Sequence, residues 1–410
     1  MRIISIAIAL VTVCTGVFAD DRTLTLESSV VTEHTVTIKG KRIPYTATAG
    51  TQPVWDEDDQ PVASLFYTYY QRSDIKDNAS RPLILSFNGG PGSASVWMHI
   101  AYTGPRNLKI DSEGFPIQPY GVVENNFSVL DVADIVYVNP VNTGYSRIVR
   151  TNLVDEPDKS QDAEQFFGVN ADIKYLAEWL STFVTRNNRW RSPKYLIGES
   201  YGTTRVSGLA LELQNQQWMY LNGVILVSPT DIGIDRGGPI KIANRLPYFT
   251  AAAWYHQALP SELQDKDIVD ILPEVEHYAI NVLIPALAMG GFLPQERKEQ
   301  VAAQVAYYSG LSKQSVLQNN LDVSPQFFWK ELLREKSLTV GRLDSRYLGM
   351  DRKDTGSDPD YSAELTSWLH SFTPAINYYL REELNFETDV KYNMFGDVDP
   401  WDRRDNNAGE

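Results

Sequence analysis

Polar and apolar positions alternate first. Residues 29–38 (SVVTEHTVTI) and 41–48 alternate apolar with polar or Thr positions on either side of Gly40-Lys41. That pattern predicts a β-hairpin with one packed face. Residues 61–70 (PVASLFYTYY) form a further β-rich run, with Asp56-Glu57-Asp58-Asp59 as a solvated turn before it. Then the period changes. Arg81–Phe87 (RPLILSF), 133–138 (ADIVYV), Lys194–Ile197 and Gly223–Val227 (GVILV) are short continuous apolar runs. Runs without alternation predict strands covered on both faces.

Between these runs the spacing becomes helical. Asp162–Thr185 carries Phe166, Ile173, Leu176, Leu180 and Phe183 near a 3.6-residue period, predicting one long amphipathic helix. Val206–Leu213 continues a helix after the third run. Strands alternating with helices imply parallel crossovers, so the fold class is α/β with a mostly parallel central sheet and antiparallel strands at the N-terminus. From about Asp235 to about Leu365 no buried-strand run occurs, and segments such as Ile268–Leu287 and Gln295–Tyr308 are helical in period. This stretch, about 235–365, reads as a helical cap inserted over one end of the sheet. It is the part expected to build the substrate pocket.

Composition narrows the function. With 410 residues, 43% hydrophobic and 22% charged, the chain can bury a large core as one domain with an insertion. A formal net charge of -15 and no basic cluster argue against nucleic acid as a partner. Arg2, the apolar stretch Ile3–Phe18 and the small-residue site at Val17-Phe18-Ala19 predict a secretory signal over 1–19, with the folded domain over 20–410. No later stretch is long and apolar enough to span a bilayer. The one cysteine, Cys14, lies in that signal behind Val13, where a lipoprotein would have a small residue. The exported chain would therefore have neither disulfides nor thiol chemistry. There is no H-E-x-x-H, so neither a metal nor a cofactor is expected.

Gly198-Glu199-Ser200-Tyr201-Gly202 is a G-x-S-x-G between a strand (KYLI) and a helical segment, the context of a nucleophile elbow. Such a turn lifts the Ser hydroxyl above the sheet and aims the next helix's N-terminus at developing negative charge. Asn88-Gly89-Gly90-Pro91-Gly92 ends an earlier strand, where this kind of fold carries its second oxyanion donor. The backbone N–H groups of Gly90 and Tyr201 are the natural pair. No P-loop Lys-Ser/Thr follows the glycines, so a phosphate loop is a poor reading.

Taken together, NGGPGSAS at 88–95, TGP at 103–105, NPVNTGYSR at 139–147 and GESYG at 198–202 resemble the serine carboxypeptidase family in order and approximate spacing. RLDSRY at 342–347 and LPYFTAAAWYH at 246–256 are similar to its bacterial members. The resemblance implies an α/β-hydrolase fold and Ser200 as the acylated nucleophile. It also implies Gly90 and Tyr201 as the oxyanion hole, with Asn88 and Glu199 binding the free carboxylate of a peptide's C-terminus. Two carboxylates lie close only if they share a proton, so Glu199 would bind that terminus in its protonated form.

Two departures follow. Where yeast-like and plant-like members carry a second Glu, two residues before the Gly104-Pro105 pair, this chain has Tyr102, so their acid-pH preference does not carry over. The triad order in this fold is Ser, acid, His, and Asp399-Pro400-Trp401-Asp402 resembles the segment that precedes the family's acid. The catalytic Asp and His, with the C-terminal strands, are therefore expected beyond Glu410, which would leave GVILV as an uncovered edge. The histidines after Ser200 are His256, His277 and His370, and none follows a buried strand and loop. Asp231 sits in a strand-end loop but does not match the family acid. The expected function is an exported serine-type carboxypeptidase. An esterase or acyltransferase on the same scaffold, or a non-catalytic peptide-binding homologue, remains open, as does the oligomeric state.

Overall fold

A computed structural model of the chain describes residues 24–149, 159–230 and 237–404. The expected signal over 1–19 and Asp231 lie outside the described residues.

The alternating N-terminal segments form β1 (Ser28–Ile38), β2 (Lys41–Trp55) and β3 (Pro61–Arg72), an antiparallel meander. The continuous apolar run before the glycine-rich loop is β4 (Leu83–Phe87). A two-stranded ribbon follows, β5 (Arg106–Leu108) with β6 (Val122–Glu124). Then come β7 (Asp134–Val138), the short β8 (Arg147–Ile148), β9 (Lys194–Glu199) and β10 (Gly223–Val227). The main sheet runs β1-β2-β3-β7-β4-β9-β10, with β8 also pairing β3. β7, β4, β9 and β10 are mutually parallel. This mixed sheet with a parallel core and helices on its faces is the expected α/β-hydrolase fold.

Period-two alternation sorts side chains between two cores. Leu83, Leu85 and Phe87 of β4 face a cluster containing Trp179, Leu180 and Phe183. Ile84 faces the other way, into a cluster with Phe372, Ile376 and Tyr379. At the start of the parallel strands, Asp134 is fully buried between Arg81 and Arg189, at 2.7 and 2.6 Å. This ion cluster closes the end of the sheet opposite the elbow.

The single helix predicted over 162–185 is two, α1 (Lys159–Phe166) and α2 (Val169–Arg186). The break is Gly168, which bridges to Asp402, where an added Cβ would meet the Asp402 backbone and side chain at 3.3 Å. The segment ending at Asp402 crosses the helix line there. After the elbow comes α3 (Tyr201–Asn215).

GVILV is a strand, as predicted, but not one covered on both faces. β10 is the sheet's edge, and Val224, Ile225 and Leu226 are 37%, 43% and 38% exposed. Among the described residues no strand pairs with its free side. Helices fill Gly238–Glu331, and their cluster from Ala243 to Phe328 shares no residue with the sheet's two cores. Among the described residues, no helix is long and apolar enough to cross a membrane.

Candidate active site

β9 ends at Glu199, and Ser200 turns the chain into α3 with φ 57° and ψ −127°. A non-glycine residue held at positive φ stores about 1–3 kcal/mol of strain and persists only where its surroundings over-determine it. Here the N–H of Ser200 donates to the Val227 carbonyl at the end of β10, 3.0 Å away, and its carbonyl accepts from the Thr203 N–H at 2.8 Å and from the Thr203 hydroxyl at 2.7 Å. The elbow is pinned from both sides. Tyr201 opens α3, where the first N–H groups have no acceptor within the helix.

The glycine-rich loop after β4 lies directly on this turn. A Cβ on Gly89 would sit 2.6 Å from the Tyr201 nitrogen and 2.7 Å from the Glu199 carbonyl oxygen. Only glycine permits that approach, which brings Gly90 beside the elbow. The loop is anchored beneath by an ion pair at its base. Arg205 on α3 donates through Nε to Asp172 of α2 at 2.7 Å and through a terminal N–H to the Asn88 carbonyl at 2.6 Å. Asp172 also accepts from the hydroxyls of Tyr175 and Tyr201, at 3.0 and 3.3 Å. The Tyr201 side chain is therefore held below the elbow, where it packs edge-on against Trp401. That leaves its backbone N–H as the group to be weighed as a donor.

Ser200, Glu199 and Gly90 open into a cavity of about 770 Å³. One wall is aromatic: Trp97, Trp368, Phe372 and Phe395. Tyr102 lines the cavity too, with its hydroxyl donating to the Met98 Sδ. Burial, and then the nearby Glu199 charge, push its phenol above the ordinary value. The Tyr in place of a second Glu thus faces Glu199 without sharing a proton with it. Asn88 does not line the cavity. It is fully buried, donates from Nδ2 to Glu199 Oε2 at 2.9 Å and accepts from the Met98 N–H at 2.9 Å. It orients Glu199 from underneath.

No histidine lines this cavity. His34 bonds Thr32, and His99 is buried against the Tyr70 hydroxyl. The other three bond the Ser345 carbonyl (His256), Asn281 (His277) and the Thr366 carbonyl (His370). The predicted cap builds the pocket in part: among its described residues, Arg342, Leu343, Asp344 and Leu365 line the cavity, while the helices of Gly238–Glu331 close on a core of their own. Missing from the sequence reading were Trp97, Trp368, Phe372 and Phe395, which apolar spacing cannot distinguish from core.

The sequence profile of the serine carboxypeptidase family matches residues 46–259, the stretch that holds both glycine-rich turns. The chain belongs to the serine carboxypeptidase family. Among curated relatives, serine carboxypeptidase-like 16 of Arabidopsis thaliana is 30% identical over 211 residues, 49% of this chain and 44% of that protein. Serine carboxypeptidase-like 7 of the same plant is 27% identical over 213 residues, 50% and 44% of the two chains. This serine carboxypeptidase relative thus spans somewhat under half the length of the curated proteins it matches. A solved prohormone-processing carboxypeptidase from Saccharomyces cerevisiae superposes with a TM-score of 0.38 at 19% identity, covering 64% of this chain and 53% of that one.

Proposed function

We propose that this chain carries the nucleophile and oxyanion hole of an exported serine-type carboxypeptidase. The observation behind the reading is Ser200 at positive φ on the cavity floor, between the Gly89-Gly90 loop and the carboxyl of Glu199. Ser200 Oγ would attack the carbonyl of a peptide's last bond. The N–H groups of Gly90 and Tyr201 would hold the oxyanion, and the C-terminal amino acid would leave. Water would then release the acyl group from Ser200. Glu199, held by Asn88, would receive the free α-carboxylate when protonated.

The reaction also needs a base to take the Ser200 proton and an acid to orient that base. We assign both to polypeptide lying along the free side of β10, where the exposed Val224, Ile225 and Leu226 call for a cover. A second reading has its own support. With no histidine among the residues lining the cavity, the chain could instead be a peptide-binding homologue that performs no hydrolysis.

The test has two arms. A fluorophosphonate probe is applied to the 410-residue chain at mildly acid and neutral pH, and the adduct is located by mass spectrometry. Slow or absent labelling of folded protein is expected, and rapid labelling of Ser200 would sink the assignment of the base. Any form of the protein that does label at Ser200 is then given N-blocked dipeptides as free acids, amides and esters, and selective release from the free acid is expected. Ester cleavage alone would favour an esterase, and tight binding without turnover would favour the binding homologue.

A further inference from the structure

Beside Glu199 the cavity holds one more charge without a partner. Arg342 lines the cavity and is exposed, and no acceptor among the described residues bonds its guanidinium. Its neighbour Asp344, also on the lining, is neutralised by Arg346, which grips it through Nε at 2.9 Å and a terminal N–H at 2.7 Å. The net contribution of this loop to the cavity is therefore one positive charge.

The loop that presents it is held rigidly. Glu364 is fully buried, and its two carboxylate oxygens accept from the backbone N–H groups of Arg342 and Leu343 at 3.1 and 3.0 Å. Farther along, the Ser345 carbonyl accepts from His256 and its hydroxyl pairs with Tyr248 at 2.8 Å. A carboxylate buried without a basic partner is costly, and it is tolerated here because both oxygens are satisfied by the loop's own N–H groups. The loop backbone is thus fixed before any ligand arrives, so binding has only the Arg342 side chain left to order.

We infer that Arg342 selects substrates carrying a second carboxylate, that is, peptides with an acidic side chain at one of the two residues flanking the scissile bond. This rests on the carboxypeptidase reading and narrows its substrate class. A guanidinium in a partly enclosed, largely apolar cavity forms a charge-assisted hydrogen bond with a carboxylate, and a neutral amide of the same shape gains less. The chain's net charge of -15 repels anions in general, so a preference for Glu over Gln would have to come from this local cation.

The test is equilibrium binding by isothermal titration to the Ser200→Ala chain, which removes turnover from the readout. The ligands are N-blocked dipeptides with Glu, Gln or Leu at either position. Glu is expected to bind about tenfold more tightly than Gln at one of the two positions, and Arg342→Gln is expected to erase that ratio while leaving the Leu peptide unchanged. Equal affinities for Glu and Gln at both positions, or a Glu preference that survives Arg342→Gln, would overturn the inference. Failure of every free-acid peptide to bind would instead remove the carboxypeptidase reading beneath it. Arg342 is exposed, so the variant should fold, and its denaturation midpoint serves as the control.

Discussion

Replacing Arg205 with Met tests how the glycine-rich loop is held. The Met side chain keeps most of the aliphatic stem but removes the guanidinium that joins Asp172 to the Asn88 carbonyl. Both members of the pair are 1% exposed. Their attraction is therefore unscreened, and so is the penalty of leaving one behind. Breaking a buried pair from one side typically costs about 3–5 kcal/mol. The Tyr175 and Tyr201 hydroxyls still donate to Asp172 and soften the loss, whereas the Asn88 carbonyl loses a donor, worth about 1–3 kcal/mol when buried. These contributions overlap, so Arg205→Met should lose about 4 kcal/mol, a large share of the roughly 5–15 kcal/mol of a typical domain. Urea denaturation followed by tryptophan fluorescence measures it, with the shift in midpoint at constant slope as the readout. Asp172→Asn should cost a similar amount. The double variant should cost far less than the sum of the two, with a coupling of about 2 kcal/mol or more. A loss under about 1 kcal/mol for Arg205→Met, or strict additivity in the double variant, would refute the account.

Three further outcomes are expected. Gly89→Ala places a methyl 2.6 Å from the Tyr201 nitrogen, so it should cost more than about 2 kcal/mol and abolish whatever fluorophosphonate labelling the parent shows; parental stability would contradict the close approach. Burial holds the His99 imidazole down at about 3 from its ordinary 6.5, so the unfolded chain takes up this proton below about pH 6.5 and the fold does not. Stability from this group is whole above that pH and falls by about 1.4 kcal/mol per pH unit below it. His99→Gln should flatten the acid limb of the stability profile between pH 6 and 4, and identical limbs would refute this. Tyr102→Glu puts a second carboxyl opposite Glu199, so the two should share a proton, and binding of a free-acid dipeptide should tighten toward acid by about one pH unit relative to the parent; an unshifted profile would mean that residues 102 and 199 do not interact.

What the sequence disclosed depended on the kind of signal. β4, β7 and β9 were legible because continuous apolar runs bounded by Gly, Pro or Asn have few other readings. The elbow was legible because its glycines are forced by close backbone approach, which depends little on the rest of the fold. β10 was legible as a strand and as the sheet's edge, but the exposure of its faces was not, since a continuous apolar run reads as covered whatever lies beside it. The break at Gly168 was hidden too. Apolar residues keep helical phase across it, and its cause is Asp402, more than two hundred residues later. The anchor from Arg205 to Asp172 joins two helices through charges that look solvated in a linear pattern. The loop from Arg342 to Asp344 was noticed only as part of RLDSRY, because its place in the cavity depends on a buried Glu364 that no periodicity reveals.

The cavity is assembled from widely separated stretches of chain, and that fixes when it can exist. Ser200, its glycine-rich partner and Trp97 lie in the first half, while the rest of the aromatic wall is Trp368, Phe372 and Phe395. The same late segment brings Tyr379 to Tyr70, two hydroxyls 2.8 Å apart across 309 positions of sequence. On a ribosome adding about 5–20 residues per second, roughly ten to forty seconds separate the emergence of Ser200 from that of Phe395. During that interval the elbow has a floor and a single residue of its wall. If Ser200 is the proposed nucleophile, a nascent chain would carry it in the open, without the grip that Trp368 and Phe372 later supply. On the carboxypeptidase reading, the order of synthesis would thus act as a safety catch, delaying recognition until the late segments are in place.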